Sequence, residues 1–338
     1  MLFEYNSFSF DFHSSEKRMN IIGHRKIFLS ISGALVLASI VAIVVFGFRP
    51  GIDFVGGTMW QLRFAPQTNA DLTQTNAEGI KNFFETELGV KNVTVFPAEN
   101  NSFLIRLPHI SEEQHQQYLQ ALNNKFGSHE SALGPSGSVL GPRESASIEE
   151  LKYETIGPSI GKELRTKAFW AIGLVLLGIS FYIAFAFRKV SYPIKSWKYG
   201  VITLITLFHD ITIPAGLLAI LGWKQGIEID TNFIVALLTI MGFSVHDTIV
   251  VFDRIRENLL LQKSRFDLEN VINNSVNQTM ARSINTSLTL VLVLLALFFF
   301  GPATLKYFVL TILVGTIVGT YSSIFVASPL LLIWKSSK

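Results

Sequence analysis

There is no cysteine anywhere in the 338 residues. That absence excludes a disulfide framework, a thiolate nucleophile and a cysteine metal site. Strong net charge is missing too: the balance is +3, and no basic stripe of the kind that grips nucleic acid is present. The motifs of soluble enzymes are equally absent, with no phosphate-binding glycine loop, no GxSxG elbow and no HExxH. Residues 1–26 hold neither the short apolar core nor the small-residue cleavage site of a secretory leader. The first long apolar run is therefore expected to stay as an anchor. No cofactor is implied.

What is abundant is apolar surface, including 28 phenylalanines. An uninterrupted apolar run at residues 27–48 and similar runs at about 168–187, 199–222, 232–252, 284–300 and 307–334 each suit a hydrocarbon core of roughly 30 Å crossed at 1.5 Å per residue. The expectation is an α-helical membrane protein with six transmembrane helices. Its orientation follows from Lys and Arg in the short connections. One side collects Lys17, Arg18, Arg25, Lys26, Arg188, Lys189, Lys195, Lys198, Arg254, Arg256, Lys263, Arg265, Arg282, Lys335 and Lys338, whereas the other holds Lys224 and Lys306. Both termini are thus assigned to the cytoplasm. The domains read as a cytoplasmic segment 1–26, helix 27–48, an extracytoplasmic domain 49–167, and a five-helix membrane domain 168–338.

The 49–167 segment has its own periodicities. TMWQLRF at 58–64 alternates as a half-buried strand does, and Ile80, Phe83, Phe84 and Leu88 recur at helical spacing. VTVFP and FLIRLP flank the turn residues Glu99, Asn100 and Asn101, Ser111 opens a capping-box pattern into an amphipathic helix to residue 126, and 151–156 supplies a last strand. The order βαββαβ predicts an α+β ferredoxin-like domain. Residues 127–147, rich in Gly, Ser and Pro, read as a linker or as a mobile arm.

Chemistry is concentrated in ionisable residues inside the apolar runs. A charge at membrane depth costs roughly 2.5 to 3.5 kcal/mol on insertion scales, so each is a candidate functional site. His209 and Asp210 lie near the middle of the third run, and His246 and Asp247, with Ser244 and Thr248 beside them, lie in the fourth. Arg282 opens the fifth. Antiparallel packing of runs four and five would bring it level with Asp247. An aspartate beside a fixed arginine keeps its proton off, while one separated from it in low dielectric prefers to be neutral, so relative helix motion would switch its proton. The alternative is a static salt bridge that fixes helix register. His209 and Asp210 have a structural alternative too, hydrogen bonding to Thr203, Thr206 or Thr212. Asp253, Arg254, Arg256 and Glu257 read as a solvated helix end. Gly315 and Gly319, extended by Ser322 and Ser323, form a small-xxx-small packing face.

Five stretches together, RPGIDFVGGTMWQLRF, TIGPSIGKELRTKA, LFHDITIPAGLLAILG, GFSVHDTIVVFDRIREN and ARSINTSLTLVLVLLALFFFG, resemble the SecF family of bacterial protein-export membrane subunits. The resemblance implies membership of the resistance-nodulation-division superfamily and a cell inner-membrane location with residues 49–167 periplasmic. It further implies pairing with SecD into a twelve-span heterodimer and use of the proton gradient to draw an unfolded preprotein out of the SecYEG channel. SecA drives the cytoplasmic side of that process, and YajC is a further implied partner. By motif position Asp247 matches the family's proton-pathway aspartate and Arg282 its arginine, while His209 and Asp210 match another family motif. His246 stands where the family more often has Asn, and residues 3–17 run longer and more aromatic than the family pattern. Two other readings compete: half of a related proton-coupled small-molecule or lipid exporter, and a scaffold that only stabilises its partner channel.

Overall fold

A computed structural model gives the fold over residues 19–64, 76–98, 100–126, 148–188, 194–261 and 267–334. The amino-terminal extension and the 127–147 excursion lie outside the described residues. The chain divides into two compact units, one of Met1–Gly47, Leu174–Ile220 and Val235–Lys338, the other of Phe48–Gly173 and Leu221–Ile234.

The first unit is helical. Its helices are α1 (Arg25–Phe46), the second part of α5 (Pro158–Ala186), most of α6 (Ser196–Gln225) and of α7 (Thr231–Leu261), then α8 (Leu268–Phe300) and α9 (Lys306–Ser322). A π turn, Ser323–Ala327, joins α9 to the short α10 (Ser328–Ile333). Among the described residues six helical stretches are long and apolar enough to cross a membrane, counting α9 through α10 as one. They are not equally enclosed. Half or more of the apolar window is buried in α6, α7 and α9–α10 (56%, 50% and 67%), against 11%, 6% and 17% in α1, α5 and α8. The three enclosed stretches are where polar side chains find protein rather than lipid.

Glycines let two of those helices approach. A Cβ at Gly315 of α9 would fall 2.3 Å from the Ile240 side chain of α7, and one at Gly319 would fall 3.2 Å from Ser244 Cβ. The small-residue face expected from the sequence is therefore a close α7–α9 seam. α7 and α8 extend beyond their apolar runs and are joined there by Arg254 Nε donating to Gln278 Oε1 at 2.6 Å and Asn258 Nδ2 donating to Ser275 Oγ at 2.8 Å. Partners that descend on one helix as they rise on the other mean antiparallel packing. Residues ahead of α1 are held to α8 as well, with the Ile21 amide donating to Asn273 Oδ1 at 3.0 Å and Asn277 donating to the Met19 carbonyl at 3.0 Å.

The second unit holds a four-stranded sheet. A short helix α2 (Ile52–Val55) leads into β1 (Gly57–Arg63), followed by α3 (Ala77–Asn82) with a π turn to Glu87, β2 (Thr94–Ala98), β3 (Ser102–Leu107), α4 (Glu112–Phe126) and β4 (Glu149–Ile156). The strand order is β2-β3-β1-β4 and every pairing is antiparallel. The alternation read at 58–64 is realised: Trp60, Leu62 and Phe64 are buried, while Met59, Gln61 and Arg63 are only half-buried. Onto that face pack Ile80, Phe83 and Phe84 on one side and Leu122 and Phe126 on the other. Ser111 caps α4 with Gln114 as its partner, each side chain meeting the other's backbone amide.

Candidate functional site

Asp210 sits in mid-α6, fully buried, with its carboxylate between three helices. Its Oδ1 lies 2.8 Å from Nδ1 of His209. Its Oδ2 accepts from Ser322 of α9 at 2.7 Å and from Ser244 of α7. Pro214, four residues on, has no amide hydrogen to return to the Asp210 carbonyl, so the helix is locally opened at that carboxylate's own backbone. The far ring nitrogen of His209, Nε2, is buried with no hydrogen-bond partner among the described residues.

Asp247 lies on α7 one turn from Ser244, 5% exposed, and accepts from Ser323 Oγ at 2.6 Å. Two consecutive serines thus serve two different carboxylates. The π turn starting at Ser323 is what the local backbone contributes, since the wider coil reorients successive side chains, and such turns recur at functional sites.

Both serines have a second neighbour that gives the arrangement its chemistry. Ser322 Oγ is also 3.0 Å from the Gly319 carbonyl, and Ser323 Oγ is 2.9 Å from the Thr320 carbonyl. A hydroxyl carries one proton and two lone pairs. Facing an ionised carboxylate it donates to it; facing a protonated one it accepts the acid's proton and turns its own to the helix carbonyl. Each serine therefore satisfies its aspartate in either protonation state without moving a backbone atom.

The other expected residues are not all brought together with these carboxylates. Among the described residues Arg282 forms no ion pair, with Asp247 or any other group. It is exposed and shares a shallow pocket with Val250, Asp253, Arg254, Glu257, Gln278 and Thr279. Val250 is nearly one turn beyond Asp247, so the guanidinium end of α8 is offset toward the ionic end of α7. His246 is exposed where Asp247, the next residue of α7, is buried. Two of the three threonines offered to Asp210 bond elsewhere: Thr203 donates to the Tyr199 carbonyl and Thr206 to the Thr203 carbonyl, each at 2.9 Å. Asp253 and Arg256 pair at 2.7 Å and Arg254 and Glu257 at 2.6 Å, as a solvated helix end would.

A match to the family described as protein export membrane protein SecD/SecF, C-terminal, covers residues 139–337, and one to the SecD/SecF GG motif covers residues 41–68. The chain belongs to the SecD/SecF family. Protein translocase subunit SecF of Thermobaculum terrenum is 41% identical over 322 residues, covering 94% of each chain. That of Anaerolinea thermophila is 35% identical over 321 residues and 95% of each. Protein translocase subunit SecDF of Thermus thermophilus is 37% identical over 329 residues, which is 96% of this chain and 39% of that one. A crystal structure of Thermus SecDF, described as a translocon-associated membrane protein, superposes with a TM-score of 0.73 at 34% identity over 94% of this chain. This SecD/SecF family member therefore spans about two fifths of that longer protein. The serines at 322 and 323 are the members of this cluster hardest to foresee, because their spacing also fits a plain packing face.

Proposed function

We propose that this chain is the SecF-type subunit of the Sec translocase accessory complex, which pairs with SecD and uses the proton gradient to promote export of preproteins. The observation that carries it is the pair of buried carboxylates, Asp210 and Asp247, each held by a serine that can satisfy either protonation state. Such a carboxylate can take up and release a proton and keep its hydroxyl partner in both states, which one in a static salt bridge does not do. Proton transfer is assigned to Asp247 with Arg282, which stands offset from it here and would meet it only by relative motion of α7 and α8, and Asp210 with His209 is its second station. His246 is assigned to the edge of the pathway. Each proton moved through 100 mV delivers about 2.3 kcal/mol.

The Thermus SecDF chain, which joins more than this chain's length in one polypeptide, supports SecD as the partner. SecYEG, SecA, YajC and the translocating preprotein follow from the family's role. The charge bias of the connections supports cytoplasmic termini and residues 49–167 on the periplasmic face of the inner membrane. The strand order β2-β3-β1-β4 supports the ferredoxin-like reading of that domain, and the superfamily assignment to resistance-nodulation-division proteins follows from family membership.

The test is gradient-stimulated export of a preprotein by inverted membranes carrying Asp247→Asn and, separately, Arg282→Met, each with assembly on SecD verified. Loss of stimulation in both with assembly intact is expected. Retained stimulation in both would reduce the chain to a scaffold.

A further inference from the structure

The GG motif does more in this chain than turn a corner. Gly56 and Gly57 have φ of 79° and 137°, outside the range that side chains favour. A Cβ on Gly56 would lie 2.8 Å from Pro158 Cα, and one on Gly161 would lie 2.9 Å from the Gly56 nitrogen. The first turn of α5 is thus seated backbone-to-backbone on the motif. The residues just before it hold the start of α7. The Gly51 amide donates to the Ile229 carbonyl and the Ile229 amide donates to the Arg49 carbonyl, each at 2.8 Å, forming an isolated parallel bridge between Pro50 and Ile229. Asp53 Oδ2 then accepts from both the Thr231 amide at 2.8 Å and the Thr231 hydroxyl at 2.6 Å, at the first residue of α7. A second tie comes from the sheet, where Arg106 of β3 pairs with Glu228. Burial pushes the Arg106 guanidinium down to about 10, against the opposing pull of Asp53.

An acidic side chain at a helix start satisfies amides that have no partner within the helix and sits favourably at the positive end of its dipole. Asp230 already provides an ordinary cap, accepting from the Phe233 amide at 3.0 Å. The contact from Asp53, 178 positions away in sequence, adds a tertiary attachment to a helix end that is already capped. Short backbone contacts, a paired bridge, a cap and an ion pair converge on one stretch.

We propose that the GIDFVGG segment is the joint by which the sheet holds the first turns of α5 and α7, with Asp53 the positioning residue that fixes α7, the helix that carries Asp247. The inference rests on the proton-coupled reading: the joint is the place where a proton-dependent shift of α7 is passed to the sheet.

The test uses the full chain with SecD, comparing Asp53→Ala with wild type for gradient-stimulated export and for amide hydrogen exchange at residues 229–233. Loss of the cap is expected to speed exchange there about tenfold and to cut gradient stimulation by a similar factor, leaving assembly and gradient-independent export unchanged. Because the chain has no cysteine, Pro50→Cys with Ile229→Cys gives a single defined disulfide across the bridge, whose strands are about 4.8 Å apart and within disulfide reach. Oxidising that pair in the Asp53→Ala background should restore stimulation, and reduction should remove it again. A proton-carrying role for Asp53 predicts no rescue. Unchanged exchange, unchanged stimulation or failed rescue each overturns the joint. Should Asp53→Ala not assemble, Asp53→Asn, which keeps an acceptor oxygen without the charge, is expected to give the same pattern at about threefold amplitude. If the wild type itself shows no gradient stimulation, the functional reading fails, and the exchange result alone then decides whether Asp53 holds α7.

Discussion

Carboxylates are handled in opposite ways by the two units. In the sheet unit Glu150 accepts from Trp60 Nε1 and from His115 Nε2, both at 2.7 Å, and keeps about a third of its side chain exposed. His115 in turn lies 3.3 Å from Glu112 through its other nitrogen and stacks on Tyr153 at 3.8 Å. Charge there is met by nitrogen donors near water, and its work is to fix β4 and α4 around Trp60. In the helical unit Asp210 and Asp247 are buried among hydroxyls, with a single histidine and no lysine or arginine paired to them among the described residues. A network built for stability compensates its charges fully; one built to change protonation leaves them adjustable.

The comparison is broken most forcefully in the sheet. Trp60→Ala removes the fully buried centre of its core and is expected to destabilise that unit by about 3–5 kcal/mol. Urea unfolding of the purified full chain, followed by proteolysis within residues 76–126, checks this. A loss under about 1 kcal/mol would mean the aromatic contacts around Trp60 are not a cooperative core.

Next comes the serine that answers Asp247. Ser323→Ala leaves that carboxylate without its donor, at about 1–3 kcal/mol, and gradient-stimulated export is expected to fall about tenfold, whereas Ser323→Thr, which keeps the hydroxyl, retains most of it. Equal behaviour of the two variants would remove the hydroxyl switch from the mechanism.

How far this site was legible in the sequence differs by its parts. Asp210 and Asp247 stand out because an acid in an apolar run is costly at that depth, although a static salt bridge or a threonine hydrogen bond would also account for one. Ser322 and Ser323 do not, since their contacts to the carboxylates span 112 and 76 positions and depend on a π turn that no residue pattern announces. The offset of Arg282 from Asp247 follows from how far α8 slides along α7, a matter of fractions of a turn settled by Gln278, Ser275 and their partners. In the sheet unit the strands and α4 were readable because period-two alternation and a capping serine are local signals. The attachment of Asp53 to Thr231 was not, because each residue looks like an ordinary loop or cap position until the chain brings them together.

A smaller effect separates the units by function rather than stability. Glu150→Gln keeps the acceptor for Trp60 but removes the charge facing His115, and the sheet unit is expected to lose about 1–2 kcal/mol. Gradient-stimulated export should be unchanged within twofold, measured in the same membranes as the serine variants. A marked loss of stimulation would place protonation chemistry in the sheet as well and dissolve the contrast.

The smallest expected effect is alkaline. Tyr153 lies on the His115 stack, and burial first, then the negative charges of Glu112 and Glu150, raise its phenol above the ordinary value of 10.0. An acid whose folded value is raised contributes stability that is fully present below the unfolded value and is lost as pH climbs past it, because the unfolded chain ionises first. The sheet unit should therefore weaken from about pH 10 upward, with no pH dependence from this group near neutral pH. Tyr153→Phe cannot ionise, so the difference in melting temperature between variant and wild type should widen in favour of the variant from about pH 9 to pH 11. Lysines titrate over the same interval in both proteins and cancel in that difference. A difference that stays flat across the interval would mean that Tyr153 ionises as freely in the folded chain as in the unfolded one, and that the stack on His115 holds the ring without enclosing its hydroxyl.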